Sequence, residues 1–178
     1  GQIFVDAGML EPDKIVVRGC PRMDAFLQRL GQAARNTSGK THQVAFFSWP
    51  LHVPLGDGTK FDLFATAAAV VRALAEMARD ASSLRVVLKI KDQHMKAENG
   101  GQMSRFAEII RDVSGEKGTL PNVVFETSRM ATHDVILESD VICAMQSTVV
   151  LEAAIAGKPV VLPHFDDIKG RSRADEVL

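Results

Sequence analysis

Ser147 and Thr148 follow the apolar run Val141-Ile142-Cys143-Ala144 and open a helix-forming stretch in which Glu152 comes four residues after Thr148. Hydroxyls at such a point stand at the first turn of a helix, where unpaired backbone amides and the positive end of the helix dipole attract an anion. A carboxylate one turn on, about 6 Å deeper along the same face, is placed to accept hydrogen bonds from the hydroxyls of a ribose attached to that anion. The same spacing also fits an N-cap serine followed by a solvated glutamate. Spacing alone leaves both readings open.

Lys89 and Lys91 end a second apolar run, Val86-Val87-Leu88, and alternation along a strand puts both on one side. Two ammonium groups at the end of a buried strand reach either solvent or an anion. His94, in the polar segment that follows, either donates to a phosphate or lies on a loop. Ser48-Trp49-Pro50 closes a third apolar run but lacks the G-x-S-x-G elbow of an acyl-transfer nucleophile. Arg22 belongs to a fourth strand-to-helix junction, Arg18 to Arg22, where Gly19 and Pro21 force a turn. The other histidines, His42, His52, His133 and His164, show no metal-ligand spacing, and no CxxC occurs, so no metal and no cofactor is assigned. Neither GxxxxGK[ST] nor GxGxxG is present, which removes the main support for ATPase and dinucleotide-binding readings.

These residues need strands that end where helices begin, and the pattern supplies them. Ile15-Val16-Val17, Gln43 to Phe47, Leu84 to Ile90, Val123 to Glu126, Asp140 to Ala144 and Pro159 to Leu162 read as strands. Between them lie helical patterns: Pro21 onward with Met23, Phe26, Leu27 and Leu30 on one face, then Phe61 to Ala78, then a stretch around Phe106, Ile109, Ile110 and Val113. A short helix follows His133-Asp134, and a last one runs from Ser147 to about Ala156, stopped by Gly157 and Pro159. Ala153, Ala154 and Ala156 are expected to let that helix sit close to the sheet. Ser48 to Lys60 and Lys91 to Gly101 read as loops.

Strands alternating with helices are the signature of βαβ units, so the expected fold is α/β: a parallel sheet of about six strands with helices on both faces. In such a sheet ligands collect at the carboxyl ends of the strands, which is where all four junctions fall.

The chain has 178 residues, 21 Lys+Arg against 22 Asp+Glu for a net charge of −1, and 46% hydrophobic residues. A chain of this length buries enough surface to fold as one domain over residues 1–178 without a disulfide framework or a structural metal. Near-zero net charge gives no global attraction to nucleic acid or to an acidic membrane surface. Two cysteines far apart, Cys20 and Cys143, fit a reducing, cytoplasmic setting. No run approaches the roughly 20 apolar residues that span a bilayer. The start at Gly1-Gln2-Ile3 and the end at Glu176-Val177-Leu178 are expected to be those of a fragment.

Three stretches together resemble the C-terminal, nucleotide-sugar-binding half of GT-B glycosyltransferases of the bacterial surface-polysaccharide type, including capsule glycosyltransferases and CDP-glycerol glycerophosphotransferases. Lys14-Ile-Val-Val-Arg-Gly19-Cys-Pro21-Arg22-Met-Asp24 is similar to the segment by which those chains enter their second domain. Val87-Leu-Lys89-Ile-Lys91-Asp-Gln-His94 is similar to their strand end carrying Lys and His-Pro, and departs from it in having Lys91-Asp-Gln-His94 where His-Pro is usual. Ser139-Asp140 through Gly157-Lys158-Pro159-Val160 is the most specific of the three, and the likeness extends from about Lys14 to His164.

The resemblance implies a Rossmann-like fold and a CMP-, CDP- or UDP-linked sugar or CDP-alditol donor. Its phosphate would lie at Ser147 and Thr148, its ribose at Glu152 and its base near Phe125 to Met130. It also implies a separate N-terminal acceptor domain, without which the fragment has little activity, and peripheral association of the full-length protein with the inner face of the cell membrane. Two other classes stay in view: a sugar-nucleotide epimerase or hydrolase on the same two halves, and a non-catalytic flavodoxin-like binding module.

Overall fold

A computed structural model of the chain describes residues 7–8, 11, 21–33, 41–54, 60–91, 101–126, 131–145 and 147–163. The chain divides into two compact units, Gly1–Asn36 and Thr37–Leu178. In the first, helix α1 (Pro21–Ala33) begins on Pro21, whose fixed φ and missing N–H suit the first helical position. Phe26 is buried on it, but Leu27, expected on the same face, is half exposed.

The second unit carries the sheet. In chain order it runs β1 (His42–Phe47), β2 (His52–Pro54), β3 (Lys60–Asp62), α2 (Phe64–Asp80), β4 (Leu84–Lys89), α3 (Gln102–Ser114), β5 (Val123–Glu126), α4 (Thr132–Glu138), β6 (Val141–Cys143), α5 (Thr148–Ile155) and β7 (Val160–Val161). Five strands pair in the order β5-β4-β1-β6-β7, all parallel. The chain steps outward from β1 through β4 to β5, then returns to the other side of β1 for β6 and β7. The strand order therefore reverses between β1 and β6, the Rossmann-like arrangement.

The sheet has five strands where about six were expected; the remaining candidate, Ile15 to Val17, lies outside the described residues. A second correction concerns the stretch read as a loop after Ser48. There β2 and β3 pair antiparallel, His52 with Asp62, Val53 with Phe61 and Pro54 with Lys60. Strands of three residues are too short to show a period. The Leu63 amide donates to the Leu51 carbonyl at 2.7 Å, and the Asp62 carboxylate accepts the Phe64 amide at 2.8 Å at the start of α2.

Alternation divides the sheet into two apolar faces. Phe46, Leu88, Phe125 and Cys143 lie side by side in register. They join Val70, Val71, Leu74 and Ala75 of α2 and Phe106, Ile110 and Val113 of α3 in one core. Phe46 stacks at a tilt on Trp49, with ring centroids 5.0 Å apart, and meets Phe106 edge-on at 5.9 Å, geometries in which aromatic pairs gain beyond area burial. The Arg72–Asp112 ion pair at 2.7 Å and the Arg105 guanidinium 4.5 Å over the Phe64 ring tie α2 to α3 on the outside. The opposite face presents Ala45, Val87 and Ile142, all buried. Right-handed crossovers bring α4 and α5 onto it, with Val135, Ile136, Val149 and Ala153 buried.

At the amino edge of the sheet the Ser139-Asp140 pair is a lock. Ser139, fully buried, donates its hydroxyl to the Val135 carbonyl at 2.7 Å and accepts from Gln43 Nε2 at 3.0 Å. Asp140 exchanges bonds with the same residue: its Oδ2 accepts the Gln43 amide and its own amide donates to the Gln43 carbonyl, each at 2.8 Å. This fixes β6 against β1 and so fixes where β6 delivers the chain.

Candidate functional site

The carboxyl ends of β1 and β6 flank the point where the strand order reverses, the place where open α/β sheets form a crevice. From β1 the chain continues into Ser48 and Trp49, and from β6 through Ala144 and Met145 to Ser147; the four flanking residues Ser48, Trp49, Ala144 and Met145 are all buried. Ser147 is the N-cap of α5, with extended backbone (φ −136°, ψ 149°) and its Oγ accepting from the Val149 amide at 3.4 Å. The N-cap reading is therefore realised. The Val150 amide donates to the Ser147 carbonyl at 3.0 Å, so Ser147 accepts two amides of the first turn, one with its hydroxyl and one with its backbone. Thr148, at the first helical position, is exposed.

The far end of α5 is equally well defined. Gly157 has φ +68°, a conformation that costs a residue with a Cβ. Its amide donates to the Ala154 carbonyl at 3.0 Å while the Lys158 amide donates to Ala153 at 2.9 Å, the paired bonds of a Schellman stop. Of the three alanines expected against the sheet only Ala153 is fully buried; Ala154 is exposed and Ala156 intermediate. The inner stripe is instead Val149, Glu152 and Ala153, the i, i+3, i+4 spacing of a single face.

Glu152 therefore does not share the exposure of Thr148. Four residues advance a helix by about 40° beyond a full turn, enough here to carry Glu152 inward. It is 1% exposed, and the solvated-glutamate reading is excluded. Its Oε1 lies 3.6 Å from Nε2 of His133, in the first turn of α4, whose side chain is 17% exposed. From sequence, His133 marks the start of a short helix and shows no metal spacing, and neither feature points to the site. The available signal was its place two residues into a helix that must pack beside α5.

Lys89 is buried at the end of β4, on the α4–α5 face of the sheet, in register between Phe47 of β1 and Glu126 of β5. Opposite charges at facing positions of neighbouring strands attract, so this register itself favours a lysine there. Ser48 is brought to the same strand end: its amide donates to the Lys89 carbonyl at 2.9 Å, and its Oγ accepts the Lys91 amide at 3.3 Å. The hydroxyl thus extends the β1–β4 pairing by one step. Lys91 is exposed. Arg22 has its backbone in α1 but its side chain is not among those described, and His94 and the segment 127–130 lie outside the described residues.

Cys143 is a free, buried thiol whose pKa burial pushes up to about 12, so it is no nucleophile. Among the described residues no cluster of His, Cys, Asp and Glu is arranged to hold a metal ion, and no helix is long and apolar enough to cross a membrane.

A comparison with curated proteins gave no match. The site just described, from Ser48 through Glu152, falls within residues 25–165, over which the chain matches the model of the family described as "Putative glycosyltransferase (DUF6716)"; the match covers well over half the chain, which belongs to that glycosyltransferase family.

Proposed function

We propose that this chain is the donor-binding half of a GT-B glycosyltransferase, or of a glycerophosphotransferase of similar build, that transfers from a CMP-, CDP- or UDP-linked donor to a growing bacterial surface polysaccharide. The observation that carries the reading is the amino end of α5. It is capped by Ser147, opens beside the reversal of strand order, and is held by a helix stopped sharply at Gly157. The positive end of a helix dipole held in one direction favours a phosphate there with little reorganisation. Membership of a glycosyltransferase family supports the transfer chemistry.

In this reading the donor phosphate lies at the amino end of α5, against the positive end of its dipole and the hydroxyls of Ser147 and Thr148. Lys91, Lys89 and Ser48, at or just past the ends of β4 and β1, are assigned to the phosphate and Glu152 to the ribose. The acceptor and the general base belong to an N-terminal domain, without which transfer is negligible. The full-length enzyme works in the cytoplasm, in peripheral contact with the inner face of the cell membrane.

The test is a thermal-shift series on this chain with CMP, CDP, UDP and the matching nucleosides. A ligand at 100 times its dissociation constant adds about 2.7 kcal/mol of stability. A shift with the diphosphates that the nucleosides do not give supports the reading. A shift with none of them, or an equal shift with the nucleosides, contradicts it.

A further inference from the structure

We infer that His133 is a specificity-determining residue of the donor site, and that the His133–Glu152 pair, not Glu152 alone, reads the hydroxyls of the donor ribose. The inference rests on the proposed donor site and adds to it a residue from a different helix.

Three observations carry it. First, Glu152 is 1% exposed on the inner stripe of α5, while His133, 3.6 Å away, is 17% exposed. A hydroxyl approaching this pair from solvent meets the imidazole before the carboxylate. Second, both residues stand near helix amino ends that open on the same edge of the sheet. His133 is in the first turn of α4, which follows β5, and Glu152 is one turn into α5, which follows β6. The pair thus sits at the carboxyl edge, with Glu152 one turn below the helix end that would hold the phosphate, which is the depth of a ribose attached to it. Third, the chemistry matches. A ribose hydroxyl both donates and accepts, and a carboxylate beside an imidazole N–H offers both functions at once.

A carboxylate withdrawn from water is costly unless donors face it, and the α4 imidazole, 3.6 Å away, is one group that faces Glu152. His133 is in this sense a positioning residue for Glu152 as well as a contact.

The experiment is calorimetric titration of the full chain with CDP and UDP and with their 2′,3′-dideoxy counterparts. It uses wild type, His133→Ala, His133→Gln and Glu152→Gln, each first shown by thermal unfolding to be folded. The readout is the ratio of the dideoxy to the ribo dissociation constant, which a purely structural role would not move. Wild type is expected to prefer the ribonucleotide about tenfold or more, as for a hydrogen bond to a charged group. His133→Ala should bring the ratio close to one while leaving dideoxy affinity within about threefold of wild type. His133→Gln, which keeps an N–H donor at similar reach, should recover part of the preference. A wild-type ratio retained in His133→Ala but lost in Glu152→Gln would overturn the inference and leave the donor site standing. A wild-type ratio of one would overturn ribose reading by the pair while keeping the phosphate site, and absence of binding by any of these nucleotides would overturn both.

Discussion

Nζ of Lys158 donates to the carbonyl of Leu137 at 3.0 Å, so the lysine of the Gly157-Lys158-Pro159 stretch is fastened to the carboxyl end of α4 rather than directed at the anion end of α5. A cation at a helix carboxyl end also answers the negative end of the dipole. The Gly-Lys-Pro sequence then has a positional logic: Gly157 stops α5, Lys158 links it to α4, and Pro159 leads into β7, its carbonyl accepting the Ile142 amide at 2.9 Å. Substituting Lys158→Met, which keeps the stem and removes the donor, should lower stability by about 1 kcal/mol in urea unfolding. Nucleotide affinity should not change. An affinity loss of tenfold or more at unaltered stability would assign Lys158 to the ligand instead.

Ser139→Ala should be among the more damaging small substitutions, at about 1–3 kcal/mol, because it strands Gln43 Nε2 in the interior. Asp140→Ala removes the acceptor of the Gln43 amide, itself part-buried, and should cost a similar amount. Both act at the amino edge of the sheet, so chemical denaturation should register them while the affinity of the folded protein for nucleotide stays within about twofold.

Cys143 should resist alkylation in the folded protein at about pH 9, where an exposed thiol is substantially ionised, and react only on unfolding. Its folded pKa, pushed up to about 12 by burial, lies above the ordinary 9.0. Its contribution is therefore fully present below the unfolded value. Between these values the unfolded chain loses a proton that the folded chain keeps, so stability falls as pH rises through that window. Labelling by a thiol reagent with and without denaturant checks the first point. Rapid labelling without denaturant would contradict it.

The two lysines at the end of β4 should separate. Lys91→Ala should weaken nucleotide diphosphate binding and flatten its dependence on salt, since Lys91 is exposed and contributes mainly charge. Lys89→Ala should lower stability as well, because Lys89 is buried among the strand ends and its removal takes away a packed side chain. Paired unfolding and titration curves at two ionic strengths distinguish the cases.

The strands and helices that carry the site were legible because each is a run of apolar residues with a clear period ended by a breaker. Val123–Glu126 and the α5 boundaries at Ser147 and Gly157 are examples. The β2–β3 pair was not legible, since His52-Val53-Pro54 and Lys60-Phe61-Asp62 owe their pairing to each other rather than to any local pattern. Glu152 was legible as a residue of interest but not as a buried one. An i+4 spacing places it near Thr148, and only the packing of α5 on the sheet decides that Val149, Glu152 and Ala153 turn inward. His133 was not legible as its partner, because the contact joins two helices from separate crossovers. The dual role of Ser48, hydroxyl on the Lys91 amide and amide on the Lys89 carbonyl, likewise depends on β1 and β4 being neighbours.

The central claim, that the amino end of α5 holds the donor phosphate, is tested most directly by Thr148→Glu. Thr148 is exposed in the first turn, where a carboxylate complements the helix dipole, so the substitution should leave the fold as stable as before or more so. The same carboxylate repels a phosphate. Calorimetric titration of wild type and Thr148→Glu with CDP and UDP, alongside their thermal unfolding, should show an unchanged or higher Tm and an affinity lower by at least about tenfold. An affinity equal to that of wild type, in a variant with an intact fold, would show that the phosphate is not bound at α5.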